Sequence, residues 1–460
     1  MTPARSTAIV VVVLLFVMPE NALEATLNDR FGHRSFRDGQ APLVHAVLSG
    51  RDVVAVMPTG SGKSLGYKLP ALLLPGTTLV VSPLISLMKD QVDELNRRGI
   101  PSAALHSLLP DERRRCALED ANAGRLRLLY VAPERFASDA FMRVLGGMPI
   151  ARFVIDEAHC VSEWGHDFRP DYRRLTTAAK ACRRSDGKPG RPPMAAFTAT
   201  ATADVRDDIV RLLALTEPEV IVAGFDRPNI FLAVEPVAGG FEKDDVLPAL
   251  VGARRALVYA ATRRTAASAA AALTAARIDA EVYHAGLDQR ERTRVQDAFA
   301  SGRARVICAT NAFGMGIDRP DVEAVIHFAI PGSVEAYYQE IGRAGRDGRR
   351  ATATLLWDRA DVSTREFLID SPRQEKPGLR HLAIDPEEVA RRKEIEHRKL
   401  QRMVAYAETP QCLRATILRY FGDRVARERC GTCSNCAPAA GIIDYRRRFR
   451  GRHRRSNRYW

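Results

Sequence analysis

Two successive series of short apolar runs, each bounded by turn residues, constrain what this chain can fold into. The first series occupies residues 52–57, 77–82, 126–132, 152–156 and 194–200, and the second occupies 256–262, 280–286, 304–310, 324–330 and 351–357. Continuous apolar strands that alternate with helical stretches are typical of parallel sheets covered by helices on both faces. The sequence therefore predicts the α/β fold class, with two domains in tandem joined by a Pro-containing linker at 224–230.

A glycine-rich stretch, MPTGSGKS (57–64), follows the first of these runs and precedes a helix-like stretch. Glycines let backbone N–H groups face phosphate oxygens, and a helix N-terminus favours anions. The stretch predicts an ATP-binding loop in which Lys63 reaches the β- and γ-phosphates and Ser64 holds Mg²⁺. The strict pattern has glycine where this chain has Met57, so the loop is of a looser kind. The predicted nucleotide-binding residues of the loop are Thr59, Gly60, Ser61, Gly62, Lys63 and Ser64.

A carboxylate pair, Asp156 and Glu157, ends the run at 152–156 and begins the tetrapeptide DEAH. Open α/β sheets place their ligand sites at the carboxyl ends of strands. We expect Asp156 to bind Mg²⁺ and Glu157 to orient and deprotonate the attacking water. We also expect Ala158 and His159 to couple this site to its neighbours.

Taken together, these motifs resemble those of superfamily 2 helicases and, within them, the RecQ family of DNA helicases, over about residues 27–438. The resemblance implies two RecA-like domains followed by a small helical zinc-binding subdomain. It also implies that Arg37 and Gln40 of FGHRSFRDGQ (31–40) contact the adenine base. SPLISLMKDQV (82–92), which begins at Ser82, resembles a segment that faces nucleic acid, and TAT (198–200) resembles the motif that links hydrolysis to movement.

The second series of runs carries ATNAFGMGIDRPDV (309–322) and YYQEIGRAGRDG (337–348), which resemble two further motifs of the family. The resemblance implies that Gln339, Arg343 and Arg346 face the nucleotide across the cleft, one of the arginines acting as an arginine finger. The residues agree with this, because guanidinium groups on a tight turn suit phosphate.

An aromatic-rich stretch, SEWGHDFRPDY (162–172), follows the DEAH tetrapeptide and resembles the aromatic-rich loop of RecQ proteins. We expect bases to stack on Trp164 and Phe168, and His166 to lie at the same DNA surface. Arg169 is expected to contact phosphate or to stack on a base. Because this loop is tethered to Asp156 and Glu157, strand binding can reposition the hydrolytic carboxylates. Packing of the two rings between the domains is the alternative interpretation.

Four of the eight cysteines fall late in the chain, at Cys412, Cys430, Cys433 and Cys436. Four thiolates at this spacing suit a closed tetrahedral Zn²⁺ site in a long chain of intracellular type. RecQ proteins carry a similar zinc-binding subdomain. Redox-active thiols are the alternative.

The charge balance is strongly basic, since 69 Lys and Arg against 55 Asp and Glu give a net charge of +14. Eight arginines and one aspartate within residues 441–460 contribute half of that surplus. This tail is expected to be disordered and to contact nucleic acid, a solvated or frame-shifted end being the alternative. The expected domains are 21–224 and 225–360 (RecA-like), 361–440 (zinc-binding) and 441–460 (basic tail).

Residues 8–18 form an apolar stretch within the N-terminal segment 1–20 that resembles the core of a secretory signal and is too short to span a bilayer. We favour a mis-assigned start, with Met18 as the beginning, over a targeting segment. We therefore expect no membrane association and a cytoplasmic location, nucleoid-associated in a bacterium. The chain ends soon after the last cysteine, so we expect neither the winged-helix nor the further helical domain that many RecQ proteins carry.

The expected function is that of an ATP- and Mg²⁺-dependent 3′–5′ DNA helicase in recombination and repair, with Zn²⁺ as a structural ion. Its expected partners are single-stranded and tailed or branched duplex DNA, and single-stranded-DNA-binding protein is the protein partner considered. Two alternatives stay open: a DNA-stimulated ATPase that anneals strands or translocates without unwinding, and an RNA helicase. A non-enzymatic zinc module fits poorly, because every nucleotide-contacting position is filled.

Overall fold

The structure is a computed structural model that describes residues 20–165, 167–313, 319–371 and 386–437. The predicted apolar segment at 8–18, His166, part of the motif at 309–322 and the basic tail at 441–460 lie outside the described residues. Within the described ranges, no helix combines the length and apolar character needed to cross a membrane.

A parallel sheet of eight strands organises the first half of the chain. Its strands are β1 (Val53–Val56), β2 (Thr77–Val81), β3 (Ser102–Leu105), β4 (Leu128–Val131), β5 (Pro149–Ile155), β6 (Arg183–Arg184), β7 (Met194–Thr198) and β8 (Glu219–Val222). The strand order is β3-β4-β2-β5-β7-β1-β8, and the short β6 pairs with β5. β7 therefore lies between β5 and β1, which brings the carboxyl ends of these three strands together.

Helices cover both faces of this first sheet. They are α1 (Glu20–Phe31), α2 (Gln40–Leu48), α3 (Leu65–Leu73), α4 (Ile85–Arg97), α5 (Asp111–Asn122), α6 (Asp139–Leu145), α7 (Leu175–Ala181) and α8 (Ala203–Leu212). Successive residues of β1 point to opposite faces, so Val53 and Ala55 join one hydrophobic cluster while Val54 and Val56 join another. This double burial is the reason that the strands are apolar throughout.

A second parallel sheet of six strands follows, in the order β11-β12-β10-β13-β14-β9. Its strands are β9 (Ile230–Pro236), β10 (Ala256–Tyr259), β11 (Ala280–Tyr283), β12 (Val306–Ala309), β13 (Ala324–His327) and β14 (Ala351–Trp357). The helices between these strands are α9 (Gly239–Val251), α10 (Arg263–Ala275), α11 (Gln289–Ala300) and α12 (Val334–Ile341). Two parallel α/β domains in tandem confirm the predicted fold class.

Three helices and a cysteine-bearing turn form the C-terminal part. The helices are α13 (Ala360–Asp370), α14 (Pro386–Glu408) and α15 (Leu413–Tyr420). The turn docks on the edge strand β9, where the backbone N–H of Leu232 donates to Thr432 O at 3.3 Å and that of Ser434 donates to Leu232 O at 2.8 Å. The turn therefore covers a row of backbone groups that an edge strand otherwise leaves open.

Nine of the ten predicted runs contain an observed strand, and β14 has the predicted bounds. The exception is β5, which begins at Pro149, before the predicted run at 152–156. Four strands were not predicted: β3, β6, β8 and β9. The short β6 at Arg183–Arg184 pairs with the start of β5.

Candidate functional site

Three adjacent strand ends build the centre of the candidate site. The phosphate loop follows β1, Asp156 and Glu157 follow β5, and β7 ends at Thr198 of the TAT motif. Parallel neighbours present their carboxyl ends at one edge of the sheet, so residues far apart in sequence meet there. The predicted loop and the predicted carboxylate pair are in contact.

The phosphate loop takes a conformation that requires its glycines. Gly60 and Gly62 have φ angles of 86° and 79°, which side chains with a Cβ adopt rarely. Gln40 Nε2 donates to Ser61 O at 2.8 Å, and Arg37 Nη1 donates to Gly60 O at 3.0 Å. A Cβ on Gly62 would lie 2.5 Å from Gln40 Nε2, so the amide leaves no room there. The two residues expected to contact the adenine base also fix the shape of the loop.

Lys63 lies between the two carboxylates of the site. Its Nζ is 2.9 Å from Glu157 Oε1 and 3.5 Å from Asp156 Oδ1. Burial lowers the pKa of Lys63, but the negative charges of Glu157 and Asp156 outweigh it and raise that pKa above its usual value. Burial raises the pKa of Asp156, a rise that the charge of Lys63 opposes. The ammonium group is therefore held protonated at a point where phosphate oxygens can compete for it.

Glu157 occupies a strained backbone position, with a φ angle of 50°. A non-glycine residue in the left-handed region costs about 1–3 kcal/mol, and such strain clusters at functional sites. Glu157 Oε2 is buried, makes no hydrogen bond within the described part of the chain, and faces Nδ1 of His159 at 3.4 Å. A buried acceptor of this kind calls for a polar partner. The position suits a carboxylate that orients water.

His159 connects the carboxylates to the TAT motif. The imidazole is fully buried, its Nδ1 is 2.9 Å from Thr198 Oγ1, and the Thr198 hydroxyl accepts from the backbone N–H of Thr200 at 3.3 Å. Gln339 of the second domain then donates from Nε2 to Thr200 Oγ1 at 3.4 Å. Because His159 Nδ1 also lies 3.4 Å from Glu157 Oε2, these contacts connect the carboxylate pair to α12 across the cleft.

The arginine-bearing turn after α12 lies against the phosphate loop. A Cβ on Gly60 would be 3.1 Å from Cγ of Arg346, and a Cβ on Gly342 would be 3.5 Å from Cβ of Thr59. Arg343 is buried, and its Nε has no hydrogen-bond partner within the described ranges. Both predicted arginines thus lie on a turn that faces the loop from the second domain.

The aromatic-rich loop follows the carboxylates and is held by α14, a contact that the sequence did not predict. The guanidinium of Arg398 lies 4.9 Å from the ring centroid of Trp164, and that of Arg392 lies 4.7 Å from the ring centroid of Phe168. Lys399 Nζ donates to Gly165 O at 2.7 Å. Both rings are only half-buried. Cations cover the aromatic faces that were expected to stack on bases.

Two predicted DNA contacts are placed differently from expectation. Arg169 donates from Nη2 to Asp167 Oδ2 at 2.8 Å and from Nη1 to Pro83 O at 3.1 Å, so its donors are engaged within the protein. Ser82 is 2% exposed because it directly follows the interior strand β2 and lies beneath the surface. The expectation that Ser82 faces nucleic acid is therefore not met in this conformation.

The four predicted zinc ligands come together. Their sulfur atoms all lie within 4.8 Å of one another, and the sulfurs of Cys412 and Cys433 are 4.0 Å apart. Tetrahedral Zn²⁺ with Zn–S bonds of about 2.3 Å places sulfurs about 3.8 Å apart. The backbone N–H of Thr432 donates to Cys430 Sγ at 3.3 Å, which favours a thiolate. The cluster fits a structural zinc ion.

Arg227, in the linker between the two sheets, is a further residue of the site that the sequence motifs did not indicate. It donates hydrogen bonds to carbonyl oxygens on both sides of the cleft. The sequence signal that could have indicated Arg227 is an arginine beside a proline at a domain junction.

Comparison with known families gives three matches in the order expected. Residues 37–209 match DEAD/DEAH box helicase, residues 242–348 match the helicase conserved C-terminal domain, and residues 359–437 match RecQ zinc-binding. The ATP-dependent DNA helicase RecQ of Bacillus subtilis is 38% identical over 428 residues, covering 92% of this chain and 68% of that protein. The chain belongs to the RecQ family of ATP-dependent DNA helicases. The DEAD helicase domain and the four-cysteine cluster fit ATP and zinc as the cofactors of a RecQ protein.

Matches to other relatives cover different fractions of the length of those proteins. The probable ATP-dependent DNA helicase RecS of Bacillus subtilis is 44% identical over 353 residues, which is 75% of this chain and 69% of that protein. The ATP-dependent helicase SGS1 of Saccharomyces cerevisiae is 37% identical over 434 residues, but the match covers only 29% of it. The chain thus spans about two-thirds of the length of these Bacillus relatives.

Solved structures share the fold of this RecQ protein. Mycobacterium smegmatis helicase Lhr bound to ssDNA and AMP-PNP matches with a TM-score of 0.58 at 21% identity, over 75% of this chain and 49% of that one. S. cerevisiae Dbp5 bound to RNA and ADP BeF3 matches with a TM-score of 0.58 at 18% identity, over 84% of this chain and 98% of that one. At these identities the likeness supports the two-domain fold alone.

Proposed function

We propose that the chain is an ATP- and Mg²⁺-dependent DNA helicase that moves 3′ to 5′ along single-stranded DNA and unwinds tailed or branched duplexes. The same proposal places it in the cytoplasm and in DNA recombination and repair. Its working parts are a first motor domain to about residue 224, a second at 225–360 and the zinc-binding subdomain at 361–440.

The observation that carries this proposal is the contact of Lys63 with Glu157 at 2.9 Å. Lys63 neutralises the hydrolytic carboxylate as long as it points there. The β- and γ-phosphates carry more negative charge than one carboxylate, so ATP in the phosphate loop draws Lys63 away. Glu157 is then released to accept a proton from the attacking water. Nucleotide binding thereby activates the general base.

Mg²⁺ fits the oxygen donors at the end of β5 and of the phosphate loop, the Asp156 carboxylate and the Ser64 hydroxyl. When bound, the ion would neutralise charge on the phosphates. Arg343 and Arg346 supply the positive charge on the opposite side, from the turn after α12. Because these groups belong to two domains, hydrolysis requires that the cleft be closed.

DNA enters the proposal through the family and through the aromatic-rich loop. Trp164 follows Glu157 by seven residues and lies half-buried beside α14. A base that stacks on Trp164 displaces Arg398 and pulls on the segment that ends at the carboxylates. DNA binding and the geometry of hydrolysis are thereby linked.

Unwinding of duplexes that carry a 3′ or a 5′ single-stranded tail tests the proposal, with Lys63→Ala and Glu157→Gln as inactive controls. We expect ATP-dependent unwinding of the 3′-tailed duplex. The 5′-tailed duplex should not be unwound. DNA-stimulated ATP hydrolysis without strand separation would replace the helicase with an annealing protein or a translocase. Stronger stimulation by RNA than by DNA would make RNA the substrate.

A further inference from the structure

Arg227 joins the phosphate loop to the arginine-bearing turn through a single side chain. Its Nη1 donates to Thr59 O at 3.2 Å and to Gly342 O at 3.2 Å. Its Nη2 donates to Ala344 O at 2.9 Å and to Gly345 O at 3.1 Å. One planar group therefore bonds to the first domain on one side and to the second domain on the other.

The partners of Arg227 explain why a guanidinium suits this place. Gly342 is the residue that ends α12, and carbonyl groups at a helix C-terminus carry partial negative charge. The guanidinium offers five N–H donors in a rigid fork, so it can serve several carbonyls in fixed directions. A lysine ammonium is a point charge on a flexible stem and cannot hold both sides at one spacing.

The zinc-binding part of the chain supports Arg227 from behind. Arg414 of α15 is 7% exposed, and its Nη1 donates to Asp226 Oδ1 at 2.7 Å and to Arg227 O at 2.7 Å. Its Nη2 donates to Thr432 Oγ1 in the cysteine turn at 3.2 Å. The backbone of Arg227 is thus fixed by a side chain that also contacts the cysteine turn.

We propose that Arg227 is a positioning residue for ATP hydrolysis, which sets the distance between the phosphate loop and the turn that carries Arg343 and Arg346. Arg414 and the zinc-binding subdomain hold Arg227 in place for this role. The proposal rests on the proposed function, because it assumes that these arginines act on ATP in the phosphate loop. A misplacement of about 1 Å in such a site can cost about a hundredfold in rate.

The test compares Arg227→Met with the wild-type protein in steady-state ATP hydrolysis with saturating single-stranded DNA. Methionine keeps much of the length of the side chain and removes all four hydrogen bonds. We expect kcat to fall by about 10- to 100-fold. We expect the dissociation constant of ATP to change by less than about threefold, since the bonds of Gln40 and Arg37 to the phosphate loop remain. An unchanged kcat would overturn the proposal.

Asn229→Ala is the matched control, because Asn229 binds the same turn without reaching the phosphate loop. Its Nδ2 donates to Gly345 O at 2.8 Å and to Arg349 O at 2.9 Å. We expect kcat of Asn229→Ala to stay within about threefold of the wild-type value. A loss as large as that of Arg227→Met would assign the effect to the shape of the turn and would overturn the proposal.

A double-mutant cycle with Arg343→Ala separates positioning from general damage. If Arg227 acts through the arginine-bearing turn, Arg227→Met lowers kcat much less in the Arg343→Ala background than in the wild type. Full additivity would overturn the proposal. Arg227→Lys keeps the charge and loses the planar guanidinium, so its kcat should lie between those of the wild type and Arg227→Met. It replaces Arg227→Met in the cycle if Arg227→Met does not fold.

Arg414→Met tests the support from the zinc-binding subdomain. We expect a fall in kcat of about 3- to 10-fold at unchanged zinc content, and no further fall when Arg227→Met is already present. An additive loss would remove Arg414 from the proposal.

The Lys63→Ala control distinguishes failure of the proposed function from failure of the positioning role of Arg227. Lys63→Ala hydrolysing ATP as fast as the wild type would refute the proposed function, and the role of Arg227 with it. An inactive Lys63→Ala together with a fully active Arg227→Met would refute the positioning role alone.

Discussion

Trp164 shows how single residues can serve the protein and a ligand in turn. The Arg398 guanidinium lies 4.9 Å from its ring centroid. A cation over an aromatic ring at an exposed site contributes about 0.5–1 kcal/mol, whereas base stacking contributes about 1–3 kcal/mol per base. A base can therefore replace the arginine at a net gain. We therefore propose that Trp164 packs against Arg398 without DNA and stacks on a base when DNA is bound.

Replacing Trp164 with alanine should uncouple DNA binding from hydrolysis. We expect the stimulation of ATP hydrolysis by single-stranded DNA to fall at least about fivefold, because the base loses the ring that links it to the carboxylate segment. The measurement is the ratio of hydrolysis rates with and without DNA. Phe367→Ala, which removes an exposed ring on α13, is the control and should keep the ratio. Undiminished stimulation in Trp164→Ala would contradict the coupling.

At the scale of elements, Asp52 fastens the start of β1, the strand that leads into the phosphate loop. Its carboxylate pairs with the guanidinium of Arg191, and accepts from the backbone N–H groups of Met194 at 2.8 Å and Thr216 at 2.7 Å. Burial raises the pKa of Asp52, but the hydrogen bonds from Arg191 and from these amides outweigh it, and the net pKa is lowered. The charged form therefore stabilises the first sheet.

Asp52→Asn should destabilise the protein at neutral pH and not in acid. A carboxylate whose folded pKa is lowered contributes stability above its unfolded value of 3.8, and this is lost as the pH falls through the folded pKa. We expect a loss of about 2 kcal/mol at pH 7 that shrinks below about pH 4. Urea unfolding at a series of pH values measures it.

Asp186→Asn is the control for Asp52→Asn, because Asp186 pairs with Arg184 in a loop near the surface. Such a pair contributes less than about 1 kcal/mol. Equal losses from the two substitutions at pH 7 would show that the network around Asp52 does not stabilise the sheet.

We expect the stability of the cysteine turn to depend on bound zinc. Cys433 is fully buried, and its neighbours Thr432 and Ser434 make the backbone bonds to β9. Cys433→Ser should abolish zinc binding, because three thiolates and a hydroxyl make a weaker site. We expect zinc analysis to give about one ion per wild-type chain and none in Cys433→Ser, with a lower unfolding temperature.

Cys308→Ser is the matched control for Cys433→Ser, since Cys308 is a buried cysteine in β12 away from the cluster. It should retain zinc. Loss of zinc in both variants would mean that zinc is lost because the second domain unfolds, and not because one ligand is missing.

The local elements were predictable from the sequence where burial is continuous. β14 has the bounds that the apolar run at 351–357 indicates. β3 was missed because its sequence, SAAL, consists of small residues with weak strand preference. β8 was missed because it is an edge strand, with Val220 and Val222 exposed.

The parts of the candidate site that were predictable are those whose functional residues lie close together in one short motif. The phosphate loop, the DEAH tetrapeptide and the cysteine spacing each hold their chemistry within a few residues. Arg227 and Arg398 could not be found this way, because their roles depend on partners far away in the sequence. Ser82 shows the converse, since a motif position does not tell whether its side chain is exposed.

On the scale of the whole molecule, the two domains are already in contact at the phosphate loop. A Cβ on Gly342 would be 3.5 Å from Cβ of Thr59, which is within the range of about 3.5–4.5 Å that a disulfide needs. Gln339 and Arg227 also make hydrogen bonds across the cleft. The cleft is therefore held at a defined width in this conformation.

A disulfide between Thr59→Cys and Gly342→Cys should stop turnover by preventing the domains from separating. We expect the oxidised double variant to lose ATP hydrolysis almost completely and to regain it on mild reduction, because nucleotide exchange needs an open cleft. The two single variants, under the same oxidation, are the controls and should not respond. Sustained turnover of the oxidised double variant would show that hydrolysis does not require the domains to move apart.

The docking of the cysteine turn on β9 also has a consequence for biosynthesis. β9 starts at Ile230, and its outer edge is covered by residues near 432–434. During translation about two hundred residues must leave the ribosome before that edge is closed, a delay of about 10–40 s at about 5–20 residues per second. Unpaired strand edges promote aggregation in this interval. In a metal-starved cell, we expect newly made chains to accumulate in aggregates before mature, zinc-loaded molecules lose activity.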